Sequence, residues 1–582
     1  MRRILLSVVL TVSLLGAARV SLMASAGSLL LSILLGCAAP LHAQALGGAR
    51  IEQAEKEPQN WLTYFGNYRA WSFSPLNQIT RENVKQLVPV WAFSTGELRG
   101  GLTSAPLVID GVLYLIGPRN RLFALDAATG TQIWSYFYPL PDRSTPLSNG
   151  TRGIAFGYGL LYLGTLDNHL VAIDAKTGHE VWNVGIEDAR KCGCNVTSAP
   201  LVVRDKVIVG VTGGDSAHRG YLNAFDAETG KHIWRLNTIP APGEPGSETW
   251  SEDSWKWGGA STWFTGSYDP ELNLVYWGVG NPSSDFYGEG RKGTNLYSDS
   301  LIALDADTGR LRWYYQETPH DLYDFDSDPE PVLIDVYRDG RERKIVLHAS
   351  KNGYAYVLDR ETGRFINAFP YAQRITWTKG LDKDGKPTGV VIPEAGKDYL
   401  FCPGASGGRN WVHSAYSPRT DWWYNTGFEV CNTITPKKME VAEGESWLAG
   451  DRVLKPSPTT SPHIDAFDPV TGKIEWTHLT KYVNVSSLLA TAGDLIFGGD
   501  VEGSAFALDA KTGEKIWSFN TGGGIGGPTV SFSVKGRQYV AVPSGGGVFV
   551  ESFVPAMWPE SRSHFPQPAS TLFVFALPES SQ

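Results

Sequence analysis

The sequence predicts an all-β protein, an eight-bladed β-propeller with tryptophan-docking repeats, closed by N- and C-terminal strands that share a blade. Three observations predict it: a low-charge, turn-rich composition, a phrase that recurs along the chain, and a copy of that phrase split between the two ends. Charged residues are only 19% of the 582, whereas Gly (64) and Trp (20) are plentiful. That balance suits many short strands joined by tight turns. The net charge of −9 comes with no basic cluster, which argues against a nucleic-acid partner.

The phrase runs apolar strand, Asp, two residues, Thr-Gly, three residues, Trp. Full copies occupy 122–134, 170–182, 222–234, 301–313, 464–476 and 505–517, and a copy at 356–365 lacks the Trp. Asp-x-x-Thr-Gly reads as a tight turn with Gly at positive φ, and each Trp reads as a packing anchor between neighbouring units. Near the C-terminus, 572–578 matches the front half of the phrase; near the N-terminus, 88–93 matches the back half. A ring of sheets closes in this way, with four strands per unit.

The intervals Trp234–Trp313 and Asp359–Asp468 are the long ones. Insertions in a repeat fold become surface loops, often over the binding face. The first holds Trp263 and Asn281, and the second holds Cys402, Asn410 and Cys431. Chemistry is therefore expected over one end of the ring axis.

Residues 1–45 read as a signal peptide: Met1-Arg2-Arg3, a small apolar run, then Ala43 and Ala45 at a cleavage site. Leu34-Leu35-Gly36-Cys37 gives a second reading, a lipid anchor at Cys37, and an uncleaved anchor is a third. Residues 46–582 are then a single propeller domain, exported to the periplasm. No later stretch is apolar for long enough to span a bilayer. Beyond Cys37 there are four cysteines, an even number that suggests disulfides in an exported chain. None stands in C-x-x-C-H, so no c-type haem is attached.

The stretch 318–328 places Asp321, Asp324, Asp326 and Asp328 within a few residues. If extended, Asp324 and Asp326 face one way and Phe325 the other. Carboxylates aimed at one point repel unless a proton or cation lies between them. A hard metal ion held through oxygen is one reading; a solvated acidic loop is the other.

The pieces 71–76, 258–263, 278–282, 318–321 and 401–411 together resemble the pyrroloquinoline-quinone (PQQ) dependent alcohol dehydrogenases of the methanol and ethanol type. The resemblance runs from about Trp61 to Ala576. It implies that Trp263 is the indole floor under the quinone and that Lys351 donates to the quinone oxygens. It implies that Arg152, Thr197 and Asn410, with Trp411, contact the cofactor's carboxylates and carbonyls. Asp324 is the implied catalytic base, and the implied metal ligands are Asp215, Asn281, Asp324 and Asp326. An Asp at 326 looks like the mark of the lanthanide-dependent members, with Ca²⁺ as the alternative.

The chain departs from that family in three places. Asp215 stands where Glu is usual, and Thr103-Ser104 where a Glu is frequent. Pro146 and Leu147 stand near the expected position of adjacent cysteines. Cys192 and Cys194 are expected instead to form a short disulfide covering the quinone from another direction, and the resemblance pairs Cys402 with Cys431. The implied reaction oxidises a small primary alcohol to an aldehyde and passes electrons to a soluble cytochrome c; a homodimer is compatible with it. The alternatives are a Ca²⁺-dependent quinoprotein acting on a sugar or polymeric alcohol, and a non-catalytic propeller scaffold lipoprotein.

Overall fold

The computed structural model describes residues 47–97, 100–141, 150–338, 340–566 and 568–579. The segment 1–45 with Cys37, and the loop carrying Pro146 and Leu147, lie outside them. Among the described residues the protein is all-β, with helix confined to short turns such as Gly48–Ile51 and Val554–Met557. None of these helices is long and apolar enough to cross a membrane.

Eight sheets among these residues carry a run of four antiparallel strands. The sheet built from Leu107–Ile109, Val112–Gly117, Arg121–Asp126 and Gln132–Phe137 is typical. Its middle strands are buried on both faces, so they read as continuous apolar runs, while its last strand alternates with solvent.

The repeated phrase works through its Trp and its Gly. In each turn the Asp carboxylate accepts from the Thr three residues on, as Asp174 does from Thr177 N and Oγ1 at 2.8 Å each. Gly178, at φ 73°, lies under the Trp134 ring, and a Cβ there would come within 2.6 Å of the indole. Trp134 Nε1 donates to Ala175 O of that same turn at 3.1 Å. The relation repeats for Trp182 on Gly230, Trp234 on Gly309, Trp313 on Gly363 and Trp476 on Gly513. Phe369 takes the indole's place over Gly472, which accounts for the copy that lacks a Trp.

The chain ends meet as the split phrase requires. Strand Val88–Ser94 pairs antiparallel with Thr571–Ala576. Trp91 then covers Gly130, and Trp517 Nε1 donates to Leu87 O at 3.2 Å. The longest insertion adds a three-stranded sheet of Tyr399–Phe401, Val430–Pro436 and Gly450–Pro456.

Candidate active site

The acidic stretch leaves strand Leu311–Gln316 and is not extended, contrary to the simplest reading of its sequence. Asp321 accepts from Tyr323 N at 3.0 Å and from Phe325 N at 2.9 Å, which winds the chain into a turn. Asp324 takes φ 65°, in the left-handed region. Phe325 packs against Tyr323 and Trp377 with ring centroids 5.0 and 5.4 Å apart. Asp324 and Asp326 nonetheless converge on one cation. Lys351 Nζ lies 2.9 Å from Asp324 Oδ1 and 2.6 Å from Asp326 Oδ2.

Several bonds fix that geometry. Lys351 N donates to Asp326 O at 3.2 Å. Ser327 Oγ donates to Glu317 Oε2 at 2.7 Å and lies 3.2 Å from Ser350 Oγ. Arg409, fully buried, pairs with Glu330 at 2.6 Å and so ties the 401–411 loop to the end of the acidic stretch. Arg452 Nη1 reaches Asp324 Oδ2 at 3.1 Å from the inserted sheet.

A third carboxylate group stands opposite. Oxygens of Asp215, Asp285 and Asp324 lie within 4.8 Å of one another. Asn281 N donates to Asp326 Oδ1 at 3.0 Å, and Asn281 Nδ2 to Asp285 Oδ1 at 3.0 Å. The Asn281 Oδ1 and Ser261 Oγ atoms are buried without a hydrogen-bond partner. Burial, followed by the charge of Asp326, raises the Asp215 carboxyl above its usual range. Burial and then Asp215 raise Asp285. Asp324 is raised by burial, against the opposing pull of Lys351. Burial opposes the charge on Lys351, but Asp324 and Asp326 outweigh it and hold the ammonium above its ordinary pKa. The group as a whole is an anionic basin with too few cations of its own.

A cavity of about 290 Å³ opens onto this basin. Of the residues singled out from sequence, Arg152, Thr197, Asp215, Trp263, Asp324, Asp326, Lys351, Asn410 and Trp411 all line it. The Arg152 guanidinium sits 4.7 Å from the Trp263 ring centroid, and its Nη1 donates to Thr197 Oγ1 at 2.6 Å. Burial brings the Arg152 pKa down to about 10. Asn281 is set behind the wall at Gly214, where a Cβ would come within 2.6 Å of its Oδ1. Glycine is required there for the amide oxygen to approach the basin.

Cys192 is bonded to Cys194, and Cys402 to Cys431. The first pair forms the expected short disulfide; neither of its cysteines is among the cavity-lining residues, and Cys194 lies against Gly213, which is. Sequence reasoning missed Asp285, Ser261 and Arg452, along with Phe549 and Phe553 on a short π-helical turn beside the cavity. Asp285 follows Asn281 by four residues, a spacing that could have drawn attention. Arg452 lies in a short alternating strand with no motif around it.

The residues fit both groups that such a family requires. A cation is called for by three converging carboxylates beside a buried, unpartnered amide oxygen, an all-oxygen donor set suited to a hard ion. A planar molecule is called for by the cavity walled by Trp263, near the lower end of the roughly 300–1,000 Å³ of small-molecule sites.

Comparison with known proteins agrees. Residues 61–373 match the PQQ family model described as glucose/ethanol/alcohol dehydrogenase, beta-propeller domain. Residues 460–551 match a model described as outer membrane protein assembly factor BamB. The quinoprotein alcohol dehydrogenase PedH of Pseudomonas putida is 38% identical over 89% of this chain and 91% of its own. The lanthanide-dependent methanol dehydrogenase of Methylorubrum extorquens is 34% identical over 88% of this chain and 91% of its own. A solved europium-containing methanol dehydrogenase superposes with a TM-score of 0.87 at 31% identity, over 91% of this chain and all of that one. The chain, with its all-β propeller domain, belongs to the PQQ-dependent alcohol dehydrogenases, a family of oxidoreductases.

Proposed function

We propose that this chain is a periplasmic enzyme that oxidises a primary alcohol to an aldehyde with PQQ and a lanthanide ion. In this reading the eight four-stranded sheets are the blades of an eight-bladed propeller, and residues 1–45 are its export signal. Trp263 would carry the cofactor, and Lys351, Arg152, Thr197, Asn410 and Trp411, which line the same cavity, would contact it. Asp215, Asn281, Asp324 and Asp326 would hold the metal, with Asp285 converging on Asp215 and Asp324 beside them.

When bound, the quinone supplies a two-electron acceptor and the cation a Lewis acid. The chain's own part is to place and deprotonate the alcohol. Asp324 offers a carboxylate at the cavity wall to take the hydroxyl proton. Its left-handed backbone and its contacts to Lys351 and Arg452 fix where that carboxylate points. Trp411, Leu454, Phe549 and Phe553 form an apolar wall that keeps bulk water from the reacting carbon.

The observation that carries the proposal is the convergence of carboxylate oxygens beside the Trp263 cavity. Asp326 favours a lanthanide over Ca²⁺, because a trivalent ion tolerates one more anionic oxygen. The names of the similar M. extorquens enzyme and of the europium-containing structure support that choice. A soluble cytochrome c is the proposed electron acceptor, since the chain has no C-x-x-C-H. The scaffold reading has no use for a buried acidic basin.

The test is a reconstitution series of cofactor-free protein with PQQ and either Ca²⁺ or La³⁺, assayed on methanol, ethanol and longer alcohols. The proposal expects dye-linked alcohol oxidation that needs both groups and is faster with La³⁺. Absence of turnover with either ion on any alcohol would refute it.

A further inference from the structure

Three cationic side chains line the cavity, and they are not equivalent. Lys351 is 5% exposed and spans two carboxylates. Arg152 is bonded to Thr197 and stacked on Trp263. The side chain of Arg452 is 31% exposed; its guanidinium donates one hydrogen bond, to Asp324 Oδ2 at 3.1 Å, and its charge is also felt by Asp215 and Asp285.

A guanidinium carries five N–H donors in a planar fork. One is committed to Asp324, and Arg452 lines the cavity with donors to spare. Strand Gly450–Pro456 holds it there: Arg452 and Leu454 share the cavity face, whereas Val453 between them is 55% exposed on the other. A partly exposed guanidinium with an open edge, at the wall of a small cavity, is suited to bidentate recognition of a carboxylate.

We propose that Arg452 is a specificity-determining residue that makes the preferred substrate an alcohol bearing a carboxylate, a short hydroxy acid. This rests on the alcohol-dehydrogenase reading of the same site. The carboxylate takes the open edge of Arg452, and the hydroxyl of the same molecule meets Asp324. The two protein groups are one hydrogen bond apart, so the carboxylate stands one or two carbons from the carbinol carbon. The reaction is unchanged: the O–H proton passes to Asp324, the carbinol hydrogen leaves as hydride to the family's quinone, and the C–O single bond becomes a carbonyl. The guanidinium need not release Asp324 to bind the substrate, so recognition and orientation of the base are achieved by one side chain.

The experiment compares 3-hydroxypropanoate with its neutral isostere 3-hydroxypropanamide on reconstituted wild type, Arg452→Leu and Arg452→Lys. Wild type is expected to favour the carboxylate in kcat/KM by about tenfold or more, as a charge-assisted fork allows. Arg452→Leu should abolish or invert that ratio whatever its absolute rate, and Arg452→Lys, which keeps the charge but not the fork, should fall between. Calorimetry on La³⁺-loaded protein without PQQ, in which the ion offsets the charge of the basin, gives a second readout: saturable 3-hydroxypropanoate binding to wild type, lost in Arg452→Leu with an unchanged circular dichroism spectrum. A wild type that prefers the amide, or a ratio that Arg452→Leu leaves alone, overturns the inference while the alcohol-dehydrogenase reading stands. If no alcohol is oxidised at all, that reading fails, and the calorimetry alone decides this one: absent or Arg452-independent binding overturns it.

Discussion

Asp324 Oδ1 lies 2.9 Å from Lys351 Nζ, with both side chains 5% exposed. Asp326 closes on the same ammonium from the other side at 2.6 Å. A buried lysine between two carboxylates cannot be removed without leaving like charges face to face. Lys351→Ala should therefore destabilise the cofactor-free protein by about 3–5 kcal/mol, the usual result of breaking a buried pair from one side. Denaturant unfolding at pH 7 measures it. Added Ca²⁺ or La³⁺ should restore more stability to the variant than it adds to wild type. A variant as stable as wild type would mean that the pair carries no weight.

The metal preference is read through Asp326. Even outer partners of metal ligands are worth roughly 10–100-fold in affinity or activity, so Asp326→Ala should lose about 100-fold or more of the La³⁺-supported rate. The Ca²⁺-supported rate should fall less. Equal losses with both ions would remove Asp326 as the discriminating ligand.

His463, which is not among the cavity-lining residues, makes stability depend on pH. Burial alone would lower the His463 pKa, but Asp465 at 3.2 Å reverses that and holds it at about 9. A folded-state pKa above the unfolded 6.5 contributes stability that is complete below about pH 6.5 and lost as pH rises through 9. The gap corresponds to about 3 kcal/mol. The stability lost in His463→Gln should therefore be larger at pH 6 than at pH 10, as seen in paired urea unfolding curves. A loss independent of pH would assign the effect to packing against Gly427 and Tyr371 instead.

The two disulfides close loops of very different length, with sequence separations of 2 and 29. On chain-entropy grounds the longer loop contributes about 3–4 kcal/mol and the shorter about 1–2 kcal/mol. Cys402→Ser/Cys431→Ser should thus lower the unfolding midpoint more than Cys192→Ser/Cys194→Ser. The reverse order would indicate that the short pair supports the wall at Gly213 beyond its entropic effect.

Much of the fold was legible because one turn repeats. Asp-x-x-Thr-Gly and the following Trp mark both the hairpin and the docking of one sheet on the next, so Trp134 could be read as an anchor between neighbouring units before any coordinates, though not its contact with Gly178. Closure was legible because the phrase is split between 88–93 and 572–578. The resemblance led to residues that the structure brings together, Trp263 and Lys351 at the cavity and Asn281 beside Gly214 of its wall. The site was not legible where long-range packing decides. The left-handed turn at Asp324 depends on Asp321 accepting from two amides, and Arg452 arrives from a strand distant in sequence. The approach of Cys194 to Gly213 likewise follows from tertiary packing, not spacing.

The most direct test is a crystal structure of the protein soaked with La³⁺ and PQQ, with the ion located by anomalous scattering. One strong peak is expected, bounded by Asp215, Asn281, Asp324 and Asp326, with the quinone lying flat on Trp263. A lanthanide peak elsewhere, or a Trp263 face left bare at saturating PQQ, would contradict it.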